Sequence, residues 1–242
     1  MRPFSTAFRF LTIFPWYASP TIVPEDIGRS TSFFPVVGFC LGLILVLVNW
    51  LLDPYLASEI VSVLIIAALI LMARAQHLRG LGGTFDGFRA GGEARAGFTV
   101  AREDRGIGIF GLLAVLVVIA LKFRATEVMG DARSEGLLLA PMLGRWAMVI
   151  LAYGSDFADE GIEQIGMQHV RASQLVLATA IALALVIIFA GRMGLWIALW
   201  ASLLALLSRS YLYRRAGGLT DDHFGAVEEI SETLAFVLFA SL

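Results

Sequence analysis

Long apolar runs separated by short polar stretches dominate the chain. A helix needs roughly 17–25 residues to cross a bilayer. Seven runs approach that length: Phe33–Leu52, Ile60–Gln76, Ile107–Phe123, Leu137–Tyr153, Ser173–Ala190, Met193–Ser208 and Ala226–Leu242. Only Gly191 and Arg192 part the fifth from the sixth. Their combined length is about twice one span, which predicts a tight hairpin and not one long bent helix. The seventh run is the least apolar, with Glu228, Glu229 and Glu232 in its first turns. No run alternates with period two, and an open sheet could not satisfy its backbone in lipid, so strands are not expected. Ahead of the first run, Phe4, Phe8 and Leu11 recur at helical spacing with Arg2 and Arg9 off the stripe. That pattern predicts a short helix lying in the membrane interface. The expected fold is an all-α, polytopic membrane bundle of about 6–7 transmembrane helices, forming one membrane-embedded domain over residues 1–242.

Composition agrees. Hydrophobic residues are 58% and charged residues 16%, with a mean hydropathy of +0.81. A soluble domain is nearer half apolar and a quarter charged. The net charge of −2 argues against a nucleic-acid partner. The single cysteine, Cys40, sits inside an apolar run and supports neither a disulfide nor a cysteine zinc site. Phe4 to Pro15 carries Arg9 and lacks a small-residue cleavage site, so no cleavable signal is expected.

Basic residues then set the orientation. With the N-terminus inside, that side holds 13 arginines, against Lys122, Arg124, Arg133 and Arg192 on the other. The bias predicts a multi-pass protein of the bacterial inner membrane with its N-terminus in the cytoplasm. The polar loops near 77–106, 154–172 and 209–225 then share the cytoplasmic face, where a common site could be assembled. Lys122, the sole lysine, falls to the outer face, so a lysine-based mechanism is not expected.

Two of these loops carry acids beside glycines. The first runs from His77 through Gly80, Gly82, Gly83, Asp86 and Gly87 to Asp104, Gly106 and Gly108. The last runs from Gly217 and Gly218 through Thr220, Asp221, Asp222 and Gly225 to Glu229 and Glu232. Asp86, Asp104, Asp222 and Glu229 are hard oxygen donors, and magnesium is commonly held by one or two carboxylates with water and substrate phosphates. Neighbouring glycines let backbone approach a phosphate, and N–H groups at a helix start favour anions. On a helix starting near Asp222, residues 222, 225, 226, 229 and 232 share a face. A phosphoryl-transfer site fits this pattern. Structural readings stand beside it. Asp86-Gly87 also reads as a turn, and Asp221 and Asp222 as first-turn acids that complement the helix dipole. Glu228, Glu229 and Glu232 also read as a solvated helix start, and His77 as an interfacial residue. Arg145 lies mid-span, where a charge needs a partner or a wet cavity. Gly38 and Gly42 form a small-xxx-small pair suited to helix packing.

The order of these motifs resembles the cobalamin synthase family, the adenosylcobinamide-GDP ribazoletransferases. The likeness is carried by Phe10-Leu11-Thr12 with Pro15, by Phe33 to Gly38 with Gly42, and by His77-Leu78, Gly80, Thr84, Asp86 and Gly87. It continues through Asp104 with Ile107-Gly108 and Phe110-Gly111, through Ala140-Pro141, Gly144-Arg145 and Met148, and through Gly217 to Thr220, Asp222, Gly225-Ala226 and Glu229. The family pattern has acids where this chain has Arg79 and Gly83, Ser and Arg where it has Arg105 and Gly106, and Thr-Gly-Asp where it has Thr220-Asp221-Asp222. The resemblance implies a magnesium-dependent transferase. A hydroxyl of α-ribazole, or of its 5'-phosphate, would attack adenosylcobinamide-GDP and release GMP, a late step of cobalamin biosynthesis. It implies Asp86, Asp104, Asp222 and Glu229 as catalytic residues, the three aspartates as metal ligands and Glu229 as a further ligand or general base. His77, Arg145, Gly87, Gly218 and Thr220 would contact substrate. Membrane lipid is an expected partner, and a homo-oligomer or a complex with other corrinoid-assembly enzymes is compatible with it. Two alternatives remain open: a catalytically altered family member that binds a corrinoid or a partner protein, and a small membrane transporter.

Overall fold

The computed structural model describes residues 2–14, 24–89, 106–157 and 166–241. The helices are α1 (Arg2–Leu11), α2 (Pro24–Ser30), α3 (Phe34–Leu52), α4 (Ser58–Met72), α5 (Gln76–Arg89), α6 (Ile109–Val128), α7 (Arg133–Ala152), α8 (Ala172–Ala216) and α9 (Asp221–Ala240). Among the described residues, extended pairing is limited to an isolated parallel bridge between Phe157 and Leu219.

Two helices form the centre. Every residue of α7 from Gly136 to Ala152 is buried, and most of α9 is buried as well. Small residues bring their neighbours close. Gly38 of α3 lies against the backbone of Pro141 and Met142, and Gly42 against that of Leu138. A side chain at either position would push α3 off α7, so this pair packs helices as its spacing predicts. The outer faces are apolar and exposed, as at Leu113, Leu116 and Val117 on α6 and Ile187, Ile188 and Leu207 on α8. Apolar surface of this extent, over helices that satisfy their own backbones, is the lipid-facing surface of a membrane protein.

Several elements differ from the sequence expectation. Among the described residues, four stretches are long and apolar enough to cross a membrane: Glu25–Leu52, Ile109–Val128, Gly130–Ala152 and Ala172–Ala216. The pair α4 and α5 qualifies as a fifth only when taken together, bent by 85°. The second expected span is the reason. With 15 residues, α4 rises only about 22 Å, short of the ~30 Å hydrocarbon core. It ends where Arg74 (φ 57°) and Ala75 (φ 51°) adopt the left-handed conformation, which non-glycine residues rarely enter. The stretch after it, expected as loop, is the helix α5. Gly80, Gly82, Gly83 and Gly87 depress its intrinsic propensity, and packing against α6 and α9 supplies what propensity lacks.

The hairpin expectation holds within α8. Gly191 has φ 53° and ψ −133°, outside helical geometry. Beyond it Gly194 lies against Val186. Residues eight apart in a straight helix are about 12 Å apart along the axis, so the two legs fold back on each other. The seventh expected span corresponds to α9, which is not among the stretches apolar enough to cross a membrane, because it carries carboxylates, and these point into the bundle and not to solvent. The first helix, α1, packs on the bundle through Ala7, Phe8 and Leu11, with Phe10 stacked on Phe34 at 5.8 Å.

Candidate active site and buried ion cluster

The ends of α5, α6 and α9 meet because glycines let them. A Cβ at Gly225 would lie 2.8 Å from the carbonyl oxygen of His77, and one at Gly80 would lie 2.8 Å from that of Asp222. At Gly83 a side chain would occupy the place of the Asp222 carboxylate. The glycines of the two sequence motifs are therefore the surface on which α5 and α9 meet, and the residues beside them are brought together.

Local bonds fix the start of α9. Thr220 precedes it, and its N–H donates to His223 Nδ1 at 3.1 Å. The N–H of Leu219 donates to the Asp156 carbonyl at 2.9 Å, and Phe157 stacks on Phe224 at 5.7 Å. Gly218 is buried in this turn. Burial pushes the His223 imidazole down to about 4, so it is neutral and able to accept the Thr220 N–H.

A cavity of about 180 Å³ opens where α5 and α9 meet. His77, Arg79 and Gly80 line it from α5, Asp221, Asp222 and Gly225 from α9, with Phe10, Met148 and Met167 closing the apolar side. Arg79, standing where the family pattern has an acid, supplies a guanidinium suited to a phosphate oxygen.

Asp86 has another partner. Its two carboxylate oxygens accept the N–H of Gly108 at 2.7 Å and of Gly111 at 2.9 Å. These donors belong to the first turn of α6, whose N-cap Gly108 has no side chain to satisfy them. Asp86 thus serves as a cap supplied from a neighbouring helix, an arrangement the dipole also favours. Gly87, next to it, is buried on α5. Asp104 lies outside the described residues.

Deeper along α9 the carboxylates are paired. Glu228 Oε1 lies 2.5 Å from Arg145 Nη1 and Oε2 lies 3.0 Å from His77 Nδ1. Glu232 receives both Arg145 and, at 2.5 Å, Lys122. Glu229 lies 2.5 Å from Lys122 Nζ. All six side chains are almost fully buried. Lys122 is therefore not on the outer face but inside the bundle, because only there do Glu229 and Glu232 offset its charge. The ligand atoms of His77, Glu228 and Glu229 lie within 4.8 Å of one another, close enough to hold a cation. Two of these ligands are already paired, Glu229 with Lys122 and Glu228 with Arg145.

The sequence motifs thus resolve into two neighbouring groups. His77 and Asp222 reach the cavity, Arg145 and Glu229 belong to the ion cluster, Thr220 and Gly218 set the start of α9, and Asp86 and Gly87 hold α5 against its neighbours. Sequence reasoning put Lys122 on the outer face, named Glu228 only with a solvated helix start, and read most of the facing glycines as places where backbone approaches a phosphate. A lone lysine in an apolar run was the signal, since an intramembrane charge requires a partner. Asp221 and Asp222 bring hard carboxylate oxygens to the cavity, which suits magnesium. The bonds of Asp86 suit an anchor better than a metal ligand.

These features define a polytopic helical membrane protein with a polar cavity at one end of its bundle and an ion cluster beneath. Residues 3–240 match the family model described as cobalamin-5-phosphate synthase, and the chain belongs to that family. It is 31% identical over 243 residues to an adenosylcobinamide-GDP ribazoletransferase of Geotalea daltonii, covering 100% of this chain and 98% of that one. The enzyme of that name from Roseiflexus sp. is 33% identical over 96% of this chain and 87% of its own. That from Syntrophobacter fumaroxidans is 32% identical over 96% and 95%. No solved structure matches the chain.

Proposed function

We propose that the protein is an adenosylcobinamide-GDP ribazoletransferase. It joins α-ribazole or its 5'-phosphate to adenosylcobinamide-GDP and releases GMP. The observation that carries this reading is the cavity, whose charged lining comes from the two stretches that match the family in order, His77 to Asp86 and Gly217 to Glu229. It holds a guanidinium, two aspartates and an imidazole beside the start of a helix, the groups that position a diphosphate and its nucleophile.

In this reading Arg79 and the first-turn N–H groups of α9 bind phosphate oxygens. Asp222, with Asp221 beside it, holds magnesium, which neutralises charge on the phosphates when bound. Gly83 leaves room for the Asp222 carboxylate, and Asp86 keeps α6 in register with α5. The Arg145 and Glu228 pair supports the cavity from below. The arginine bias supports an inner-membrane location with the cavity facing the cytoplasm, and with Lys122 buried the bias is stronger still.

Product formation by the purified protein, given adenosylcobinamide-GDP, α-ribazole and magnesium, tests this. Corrinoid product with wild type and none with Asp222→Ala is the expected result. A folded wild-type protein that forms no product with either ribazole form would overturn the reading and leave a binding role for the family fold.

A further inference from the structure

Glu229 was the sequence's candidate for a general base, and its position argues against that role. It lies beneath the cavity, does not line it, and is engaged by Lys122 at 2.5 Å. Among the described residues, His77 is the group that joins the two regions. It lines the cavity beside Asp222, and its Nδ1 lies 3.0 Å from a Glu228 carboxylate that is itself held by Arg145 at 2.5 Å. The geometry points to His77 as the general base of the transfer reaction, with Glu228 as its positioning residue. This inference rests on the ribazoletransferase reading and adds the proton step to it.

The chemistry follows from the two ring nitrogens. A carboxylate beside Nδ1 keeps the proton on that nitrogen and leaves Nε2 as the basic one. As the ribose hydroxyl oxygen of α-ribazole bonds to the phosphorus nearest the corrinoid, its proton passes to Nε2. The bond from that phosphorus to the bridging oxygen breaks, and GMP leaves with the electron pair. The ring is then an imidazolium, and Glu228 stabilises the charge that forms. Arg145 fixes the carboxylate in place, because Glu228 Oε1 turns to it while Oε2 turns to the ring.

Other charged groups face the ring. Asp221 and Asp222 face the cavity from α9 and Arg79 from its own helix. Arg145 of α7 and Lys122 of α6 lie behind Glu228 in the cluster.

The test uses the full-length protein in lipid nanodiscs with adenosylcobinamide-GDP, α-ribazole and magnesium. General-base catalysis contributes about 10²–10⁴-fold. His77→Gln is therefore expected to lower kcat about a hundredfold or more, to leave KM within about threefold, and to abolish the acidic limb of the pH–rate profile. Imidazole should restore part of the rate of His77→Ala. Glu228→Gln removes the charge that favours the imidazolium, so the acidic limb should move to lower pH and kcat should fall about tenfold. If Glu228→Gln does not purify as a folded species, the loss of the limb in His77→Gln still decides the matter. A His77→Gln variant with wild-type kcat, a raised KM with kcat intact, or a surviving acidic limb each overturns the base assignment. A wild type that forms no product overturns the underlying reaction instead, which separates the two failures.

Discussion

Arg145 Nη1 lies 2.5 Å from Glu228 Oε1, with 1% of each side chain exposed. Breaking a buried pair by removing one partner leaves an uncompensated charge and typically costs about 3–5 kcal/mol. Arg145→Met is expected to lower the thermal midpoint of the detergent-solubilised protein sharply. Pairing it with Glu228→Gln should recover much of the loss, since both charges then leave together. Losses that simply add in the double variant would show that the pair is not energetically coupled.

Lys122 offers a second cycle on the same cluster. Lys122→Met strands Glu229 and Glu232, which both turn to its ammonium at 2.5 Å. A loss on the order of that for Arg145→Met is expected. The double variant Lys122→Met with Glu229→Gln should be more stable than Lys122→Met alone. Chemical denaturation in mixed micelles measures the difference, and additive losses would contradict the pairing.

Asp86 separates an anchor from a metal ligand. Its oxygens accept two N–H groups from the first turn of α6. Asp86→Ala should cost about 1–3 kcal/mol of stability. The magnesium concentration for half-maximal rate should stay the same in Asp86→Asn and rise in Asp222→Asn. A rise of the same size in both variants would make Asp86 a ligand after all.

Gly225→Ala tests the close approach of α9 to α5. The added Cβ would meet the His77 carbonyl oxygen at 2.8 Å, so the helices must separate and the cavity groups shift. Displacements near 1 Å cost about a hundredfold in rate. A fall in kcat/KM of about ten- to a hundredfold is expected, with the protein still folded by circular dichroism. Wild-type kinetics would mean that the cavity tolerates the shift.

His223 carries a stability signature with pH. Burial lowers its value from 6.5 to about 4, so between those pH values the unfolded chain binds the proton and the folded one does not. Stability is thus full above pH 6.5 and declines as pH falls toward 4, by on the order of 3 kcal/mol. Removing the imidazole should flatten that decline. Melting curves of His223→Asn and wild type between pH 4 and 7 would show it, and parallel curves would refute it.

Hydrophobic runs sufficed to predict an all-helical membrane bundle and the hairpin at Gly191. Each depends on local composition, because lipid demands long apolar helices and leaves polar chemistry at their ends. The motif order likewise named the His77 and Asp222 stretches as one site. Three things were not legible. The helix α5 was hidden by its glycines, which weaken propensity locally but create the contact surface that stabilises it. The bend after Met72 depends on left-handed backbone at Arg74 and Ala75, residues that give no turn signal. The partner of each charge was hidden because pairing is a matter of depth and helix rotation.

Sequence alone therefore determined the solvent, the long apolar helices and the candidate chemistry, all of which follow from which residues occur and at what spacing. Tertiary structure decided what each charged group does. Asp86 became a cap, Glu229 and Lys122 a buried pair, and His77 the link between cavity and cluster. The physical reason is that the energy of a buried charge is set by what lies within a few ångströms of it, and for these residues those neighbours come from other helices.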